Sequence, residues 1–164
     1  MNTKLLLVLI ASVMLTSNLF AAGSANDSDT NKLKNNYEKA VVHIKSAKKY
    51  EKKGKIDKAN KKYEKALKLL KKANIKNPNN VDTLNYLGFT TRKLGNFSKG
   101  EEYYLQGLAI NPKHIGINEY LGELYVATNR VSLAKERLKV LETCNCEEYK
   151  DLKDIIDGVK KSKY

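Results

Sequence analysis

The sequence lacks any group of residues that is typical of an enzyme. It has no Gly-x-Ser-x-Gly turn, no phosphate-binding glycine loop and no His-Glu-x-x-His pair. Its two histidines, His43 and His114, lie far apart in the chain, whereas a metal site normally needs three or four clustered ligands. We therefore predict that the chain is not an enzyme and that it holds no metal and no other cofactor.

Cysteine is absent before Cys144, so the lipid-modified cysteine of a bacterial lipoprotein has no candidate. The chain begins instead with Lys4, an apolar run from Leu5 to Leu15 and small residues from Ala21 to Ala25. A membrane anchor is the alternative, but the run is shorter than the roughly 20 residues that span a bilayer. This pattern predicts a signal peptide over residues 1–25, cleaved after one of residues 21–25, and a periplasmic or secreted protein.

Arginine is also scarce, because nearly all of the 31 basic residues are lysines. Residues 26–80 hold 17 Lys against 6 acidic residues, whereas residues 81–164 hold 13 Lys and Arg against 12. Charge runs on helices are usually solvated faces, but a concentrated positive surface can attract anionic partners. Nucleic acid is not expected, since export separates the protein from it and arginine is the better reader of bases and phosphates.

The only two cysteines, Cys144 and Cys146, are separated by one residue. In an oxidising compartment they can form a disulfide, because residues two apart can reach the required Cα separation. A reduced pair at a helix end is the alternative. The spacing fits neither a redox Cys-x-x-Cys motif nor haem attachment, so we interpret the pair as structural.

A repeat of 34 residues organises the rest of the chain. Asn77-Pro78 recurs as Asn111-Pro112, and Tyr86-Leu87-Gly88 recurs as Tyr120-Leu121-Gly122. This period, with its Leu-Gly opening, central turn and closing proline, resembles the tetratricopeptide repeat (TPR). The resemblance implies an all-α, right-handed solenoid of about three helix pairs that binds another protein.

The repeat predicts the domain organisation. Residues 26–39 are a polar linker and the start of a first helix near Thr30, and residues 40–164 form the repeat domain. Its predicted units are residues 40–80, with a second helix lengthened by two turns, then 81–114 and 115–148, followed by a capping helix over 147–159. Asp57 is the predicted N-cap of the second helix, and Ser98 with Glu101 has the spacing of a capping box. Asn129 replaces glycine in the last turn and tolerates a left-handed conformation.

The resemblance also implies a binding groove, which the first helix of each unit would line. The residues in those places are Ile44, Lys48, Glu51, Asp82, Asn85, Phe89, Arg92, Glu119, Glu123 and Val126. We expect the partner-binding residues to be Asn85, Phe89, Arg92, Glu119 and Glu123. Phe89 is either an anchor for the partner or a contact with the neighbouring helix. The basic clamp that some family members use for a terminal carboxylate is not matched, because acidic residues stand in the third unit.

Two functions of different classes remain open. The first is a scaffold that holds a peptide or helix of another envelope protein in the groove. The second is an electrostatic adaptor that docks on anionic lipid or cell-wall polymer through the Lys-rich helices of residues 45–76. The sequence assigns neither the partner nor an oligomeric state.

Overall fold

The computed structural model describes residues 27–161, with side chains from residue 36 onward, so the predicted signal peptide lies outside the described residues. The described part contains helices and turns and no strand. The helices are α1 (Asp27–Glu51), α2 (Ile56–Lys76), α3 (Val81–Lys93), α4 (Phe97–Ile110), α5 (Ile115–Ala127), α6 (Val131–Leu141) and α7 (Glu147–Ile156). The predicted all-α repeat fold is confirmed. Helix α1 begins three residues before the predicted start near Thr30.

Successive helices pack as pairs, α1 with α2, α3 with α4 and α5 with α6, and each pair packs on the next. A left-handed residue ends the first helix of every pair: Gly54 at φ 66°, Gly95 at φ 88° and Asn129 at φ 59°. Asn129 thus adopts the conformation predicted for it, which most side chains resist. These turns fold the second helix of each pair back against the first.

Two of the predicted helix caps are wrong. Helix α2 begins at Ile56 with Lys55 in the N-cap place, so Asp57 lies inside the first turn, where its charge still favours the helix dipole. Helix α4 is capped by Asn96, whose side chain accepts a hydrogen bond from the Lys99 backbone N–H, and not by Ser98. Glu101 does not close a capping box, since its carboxylate accepts two hydrogen bonds from Arg130, the residue before α6.

Glycine lets the helices approach closely at two equivalent places. A Cβ at Gly88 would lie 2.5 Å from the ring of Tyr104 in α4, and a Cβ at Gly122 would lie 2.5 Å from Leu152. Leu152 belongs to α7 and is completely buried. The last helix therefore docks on α5 through the glycine of the third unit. It ends at Ile156, three residues before the predicted end of the cap.

Across residues 27–161, no helix is both long enough and apolar enough to cross a membrane.

Candidate binding groove

A cavity of about 560 Å³ opens between the first helices of the three units and α7. We call it the groove. Helices α1, α3 and α5 line it because they are the inner helices of the stack, and α7 closes its far end by packing on α5. The lining side chains are Lys48, Glu51, Lys52, Ile56, Phe89, Lys93, Glu119, Tyr120, Glu123, Glu147, Glu148 and Asp151.

The groove has an aromatic floor. The rings of Phe89 in α3 and Tyr120 in α5 lie 5.0 Å apart between centroids, and Phe89 is only 4% exposed. The Lys48 ammonium of α1 lies 4.6 Å from the Phe89 centroid and donates a hydrogen bond of 3.2 Å to the Tyr120 hydroxyl. A cation over an aromatic face is attracted by the ring quadrupole. These two contacts hold the Lys48 ammonium against Phe89 and Tyr120.

A buried ion pair lies beneath this floor. The Arg92 guanidinium is 3.1 Å from the Glu123 carboxylate, with the two side chains 0% and 3% exposed. Arg92 also donates a hydrogen bond to the backbone carbonyl of Tyr120, and its guanidinium carbon lies 5.5 Å from that ring. The pair therefore joins α3 to α5 under the groove, and Arg92 acts as an internal counter-charge.

The end of the groove that α5 and α7 form is acidic. Glu119 is 8% exposed, and within residues 36–161 its carboxyl group has neither a hydrogen bond nor an ion pair. The pKa of Glu119 is raised to about 8, mainly by burial and also by the charges of Glu123, Glu148 and Asp151, while Lys48 opposes the rise. A carboxyl group in such a place is largely protonated at neutral pH when nothing is bound.

The groove contains some of the residues predicted to line it. Phe89, Glu119 and Glu123 line it, together with Lys48 and Glu51. Phe89 also makes the expected contact with a neighbouring helix, because it packs edge-on against Tyr63 of α2 at 5.8 Å. The other predicted residues, Ile44, Asp82, Asn85, Arg92 and Val126, are not part of the lining.

Asn85 and Arg92 were expected to face a partner, and the structure buries both. Asn85 is 7% exposed, and its amide nitrogen lies 2.9 Å from the point where Gly116 would carry a Cβ. The absence of a side chain at Gly116 lets α5 cover Asn85. Arg92 is 1% exposed because it points down to Glu123. Asn85 therefore lies in the contact between α3 and α5, and Arg92 joins the same two helices through its ion pair.

The acidic wall contributed by α7 was missed. A capping helix was predicted over this segment, but not that its residues Glu147, Glu148 and Asp151 line the groove. The sequence carries only a weak indication of this wall. Helix α7 begins about one repeat period after α5, at the place where the first helix of a further unit would begin. Tyr120 was also not predicted to line the groove, although it directly follows the predicted residue Glu119.

The two cysteines are bonded to each other, with their Cα atoms 5.1 Å apart. Cys146 occupies the N-cap place of α7, so the bridge lies in the turn that leads into the acidic wall. No group of three or more His, Cys, Asp or Glu residues that could hold a metal ion occurs in the part of the chain that the structure describes.

The comparison with solved structures identifies the type of fold. The chain is similar to the first TPR of Spaghetti (RPAP3), whose structure has the HSP90 peptide SRMEEVD bound. The TM-score is 0.54 at 22% sequence identity, and the match covers 75% of this chain and 94% of that one. The fold is therefore TPR-like. No protein-family model and no curated protein matches the sequence.

Proposed function

We propose that this chain is a non-enzymatic scaffold that binds an extended peptide or a helix of another protein in the groove. The observation that carries the proposal is the groove itself, an open cavity of about 560 Å³ with an aromatic floor between charged walls. Such a concave site with a few placed polar groups is the usual form of a ligand-binding site. The peptide bound by the solved TPR neighbour supports a protein ligand.

The ligand proposed for this chain differs in charge from the neighbour's peptide. SRMEEVD carries three acidic residues and one arginine. The groove of this chain presents carboxylates from α5 and α7 at one end, and like charges repel. A peptide of that composition is not expected to occupy the acidic end.

The place of action that we propose is the cell envelope or the exterior, with an envelope protein as the partner. This rests on the signal-peptide pattern of residues 1–25. Cell fractionation and N-terminal sequencing of the mature chain test it. Retention of residues 1–25 on a protein that stays in the cytoplasm would refute the location without affecting the groove.

The groove can be tested with two matched substitutions on α2. Ile56 lines the groove and is 54% exposed, whereas Ile75 lies outside it and is 80% exposed. Ile56→Trp adds bulk at the groove, and Ile75→Trp adds the same bulk elsewhere. Both variants should fold, because neither residue is buried. Substituting Phe89 and Arg92 would be a poor test of the groove, since both side chains are buried and their loss would destabilise the fold.

The experiment is affinity capture from an envelope extract with the native chain and both variants. We expect one partner to be retained by the native chain and by Ile75→Trp, and to be lost by Ile56→Trp. Equal capture by all three proteins would exclude the groove as the binding site.

A second candidate function rests on the outer face of the first helix pair. Eight exposed lysines of α1, α2 and the turn between them make no ion pair with any residue from 36 to 161: Lys45, Lys49, Lys53, Lys58, Lys61, Lys65, Lys68 and Lys72. We propose that this face docks on anionic lipid or cell-wall polymer. Binding to anionic vesicles should weaken steeply as salt rises, because exposed charges are screened. Binding that stays flat with salt would remove this candidate.

A further inference from the structure

The two sides of the groove carry opposite charge. The lysines that line it, Lys48, Lys52 and Lys93, come from α1, the turn after it and α3. The acidic residues of the opposite side come from α5 and α7: Glu119, Glu123, Glu147, Glu148 and Asp151. The groove is thus polarised from its first unit to its last.

Some of these carboxylates are already satisfied inside the protein. Glu123 pairs with Arg92, and Asp151 accepts a hydrogen bond of 2.6 Å from the Lys160 ammonium. On the basic side, Glu51 pairs with Lys93 at 2.6 Å and accepts a hydrogen bond from the Tyr63 hydroxyl. These contacts compensate the charges of Glu51, Glu123 and Asp151. The other carboxylates of the acidic side have no such contact within residues 36–161.

Three of the carboxylates that line the groove, Glu119, Glu147 and Glu148, have no hydrogen bond or ion pair with any residue from 36 to 161. Glu119 is the informative one, because more than nine-tenths of it is buried and it lines the groove. Burial of this residue without a partner costs free energy, and its carboxyl oxygens remain accessible, so a ligand can reach them. A ligand that supplies the missing partner would offset this cost. It would also account for the open cavity in front of Glu119.

The surroundings of Glu119 favour a cation as that partner. Glu123 on its own helix and Glu148 and Asp151 on α7 are negative, while Lys48 of α1 is the positive group that acts on it. Lys160, held at Asp151, feels the field of Glu119 and Glu123 and has a raised pKa, mainly through its hydrogen bond to Asp151. One ammonium group of the chain thus already lies against this wall, 2.6 Å from the Asp151 carboxylate. A bare metal ion fits less well, since no set of three ligands is assembled among the described residues.

We infer that the groove recognises a lysine or arginine side chain of the bound peptide, seated against Glu119 and Glu148 while the peptide crosses Phe89 and Tyr120. This inference rests on the proposed function and specifies its ligand. The charged head would satisfy the two carboxylates, and its aliphatic stem would cover the aromatic floor, as long basic side chains commonly do.

The test is a selection of random peptides displayed on phage against four proteins: the native chain, Ile56→Trp, the double variant Glu119→Gln, Glu148→Gln, and the double variant Glu136→Gln, Glu142→Gln. The last pair makes the same two substitutions at exposed residues of α6 and its end, outside the groove. Only peptides whose capture is lost with Ile56→Trp are counted as groove ligands.

We expect the groove ligands of the native chain to be enriched in lysine and arginine. Binding of synthetic copies should fall at least about tenfold with Glu119→Gln, Glu148→Gln, as for loss of a charge-assisted hydrogen bond, and stay unchanged with the α6 control. Groove ligands without basic enrichment, or with equal affinity for both double variants, would overturn the inference alone. A selection that yields no ligand sensitive to Ile56→Trp would instead refute the proposed function.

Discussion

The Arg92 guanidinium of α3 and the Glu123 carboxylate of α5 form an ion pair of 3.1 Å that is almost completely shielded from water. The pair connects the second unit to the third below the floor of the groove. Its two charges are tolerable together, but either one alone would be a buried, uncompensated ion. The stability of the stack therefore depends on both being present.

Substituting Glu123 by leucine should lower the free energy of unfolding by about 3–5 kcal/mol, because Arg92 would remain buried without its partner. The double variant Arg92→Met, Glu123→Leu should recover most of that loss. Urea unfolding followed by circular dichroism measures both. The exposed pair Lys150 and Asp154 serves as the control, since Asp154→Asn should cost no more than about 0.5 kcal/mol. A double variant as unstable as the single one would contradict the explanation.

The stability of the protein should fall as pH rises, because the pKa of Glu119 is raised from 4.5 to about 8 by burial. Below the lower value the group is protonated in both the folded and the unfolded chain. Between the two values the unfolded chain loses this proton and the folded chain keeps it, so the free energy of unfolding decreases. Above the higher pKa the group is ionised in both states, so the free energy of unfolding no longer decreases on its account.

The substitution Glu119→Gln removes this dependence. We expect the variant to match the native chain near pH 4 and to be more stable near pH 9, by an amount on the order of a few kcal/mol. Thermal unfolding across that pH range measures the difference, with Glu136→Gln on the exposed face of α6 as the control. Parallel profiles for the native chain and Glu119→Gln would show that this carboxyl group is not desolvated.

The docking of α7 can be tested at Gly122. Alanine there would place a methyl group 2.5 Å from the end of the Leu152 side chain, so this side chain or the helix that carries it must shift, and overpacking of this kind costs about 1–3 kcal/mol. Amide exchange should accelerate in α7 more than in α3. The compensating variant Gly122→Ala, Leu152→Val should restore part of the protection. Unchanged exchange in α7 would mean that Gly122 does not seat this helix.

The bridge between Cys144 and Cys146 should contribute little to global stability. It closes a loop of about three residues, for which the chain-entropy model gives about 1.6 kcal/mol. We expect the double variant Cys144→Ser, Cys146→Ser to fold, with a midpoint of urea unfolding only slightly below that of the native chain. Faster amide exchange should be confined to the first turn of α7. Loss of the whole fold would contradict a local role.

The architecture was predictable because the interactions that produce it are local and repeat along the sequence. Helical periodicity places Leu84 and Leu87 on one face, and the 34-residue spacing predicts the same arrangement for Leu121. The turns were predictable for the same reason, since a left-handed position favours glycine or asparagine. The cap of α2 was missed because the helix begins two residues earlier than an Asp57 cap would allow.

The groove was less predictable because it depends on distances between helices that are remote in sequence. Helical spacing places Asn85, Phe89 and Arg92 on one face of α3, but it does not show that α5 comes close enough to cover two of them. The acidic wall of α7 depends on the packing of Leu152 against Gly122, a contact between residues of different elements. Sequence patterns specify which face a residue occupies, and packing decides whether that face remains open.

The unequal helix lengths imply an order of unfolding. Helices α1 and α2 have 25 and 21 residues, whereas α6 and α7 have 11 and 10. In a linear stack each element is supported only by its neighbours, so the short terminal helix opens at the lowest free energy. Of the acidic side, the part on α7 is therefore expected to open before the part on α5, whereas the lysine side lies on helices of 25 and 13 residues and the turn between α1 and α2. Transient opening of α7 would remove Glu147, Glu148 and Asp151 from the groove together. The net charge of the groove would therefore change whenever α7 opens.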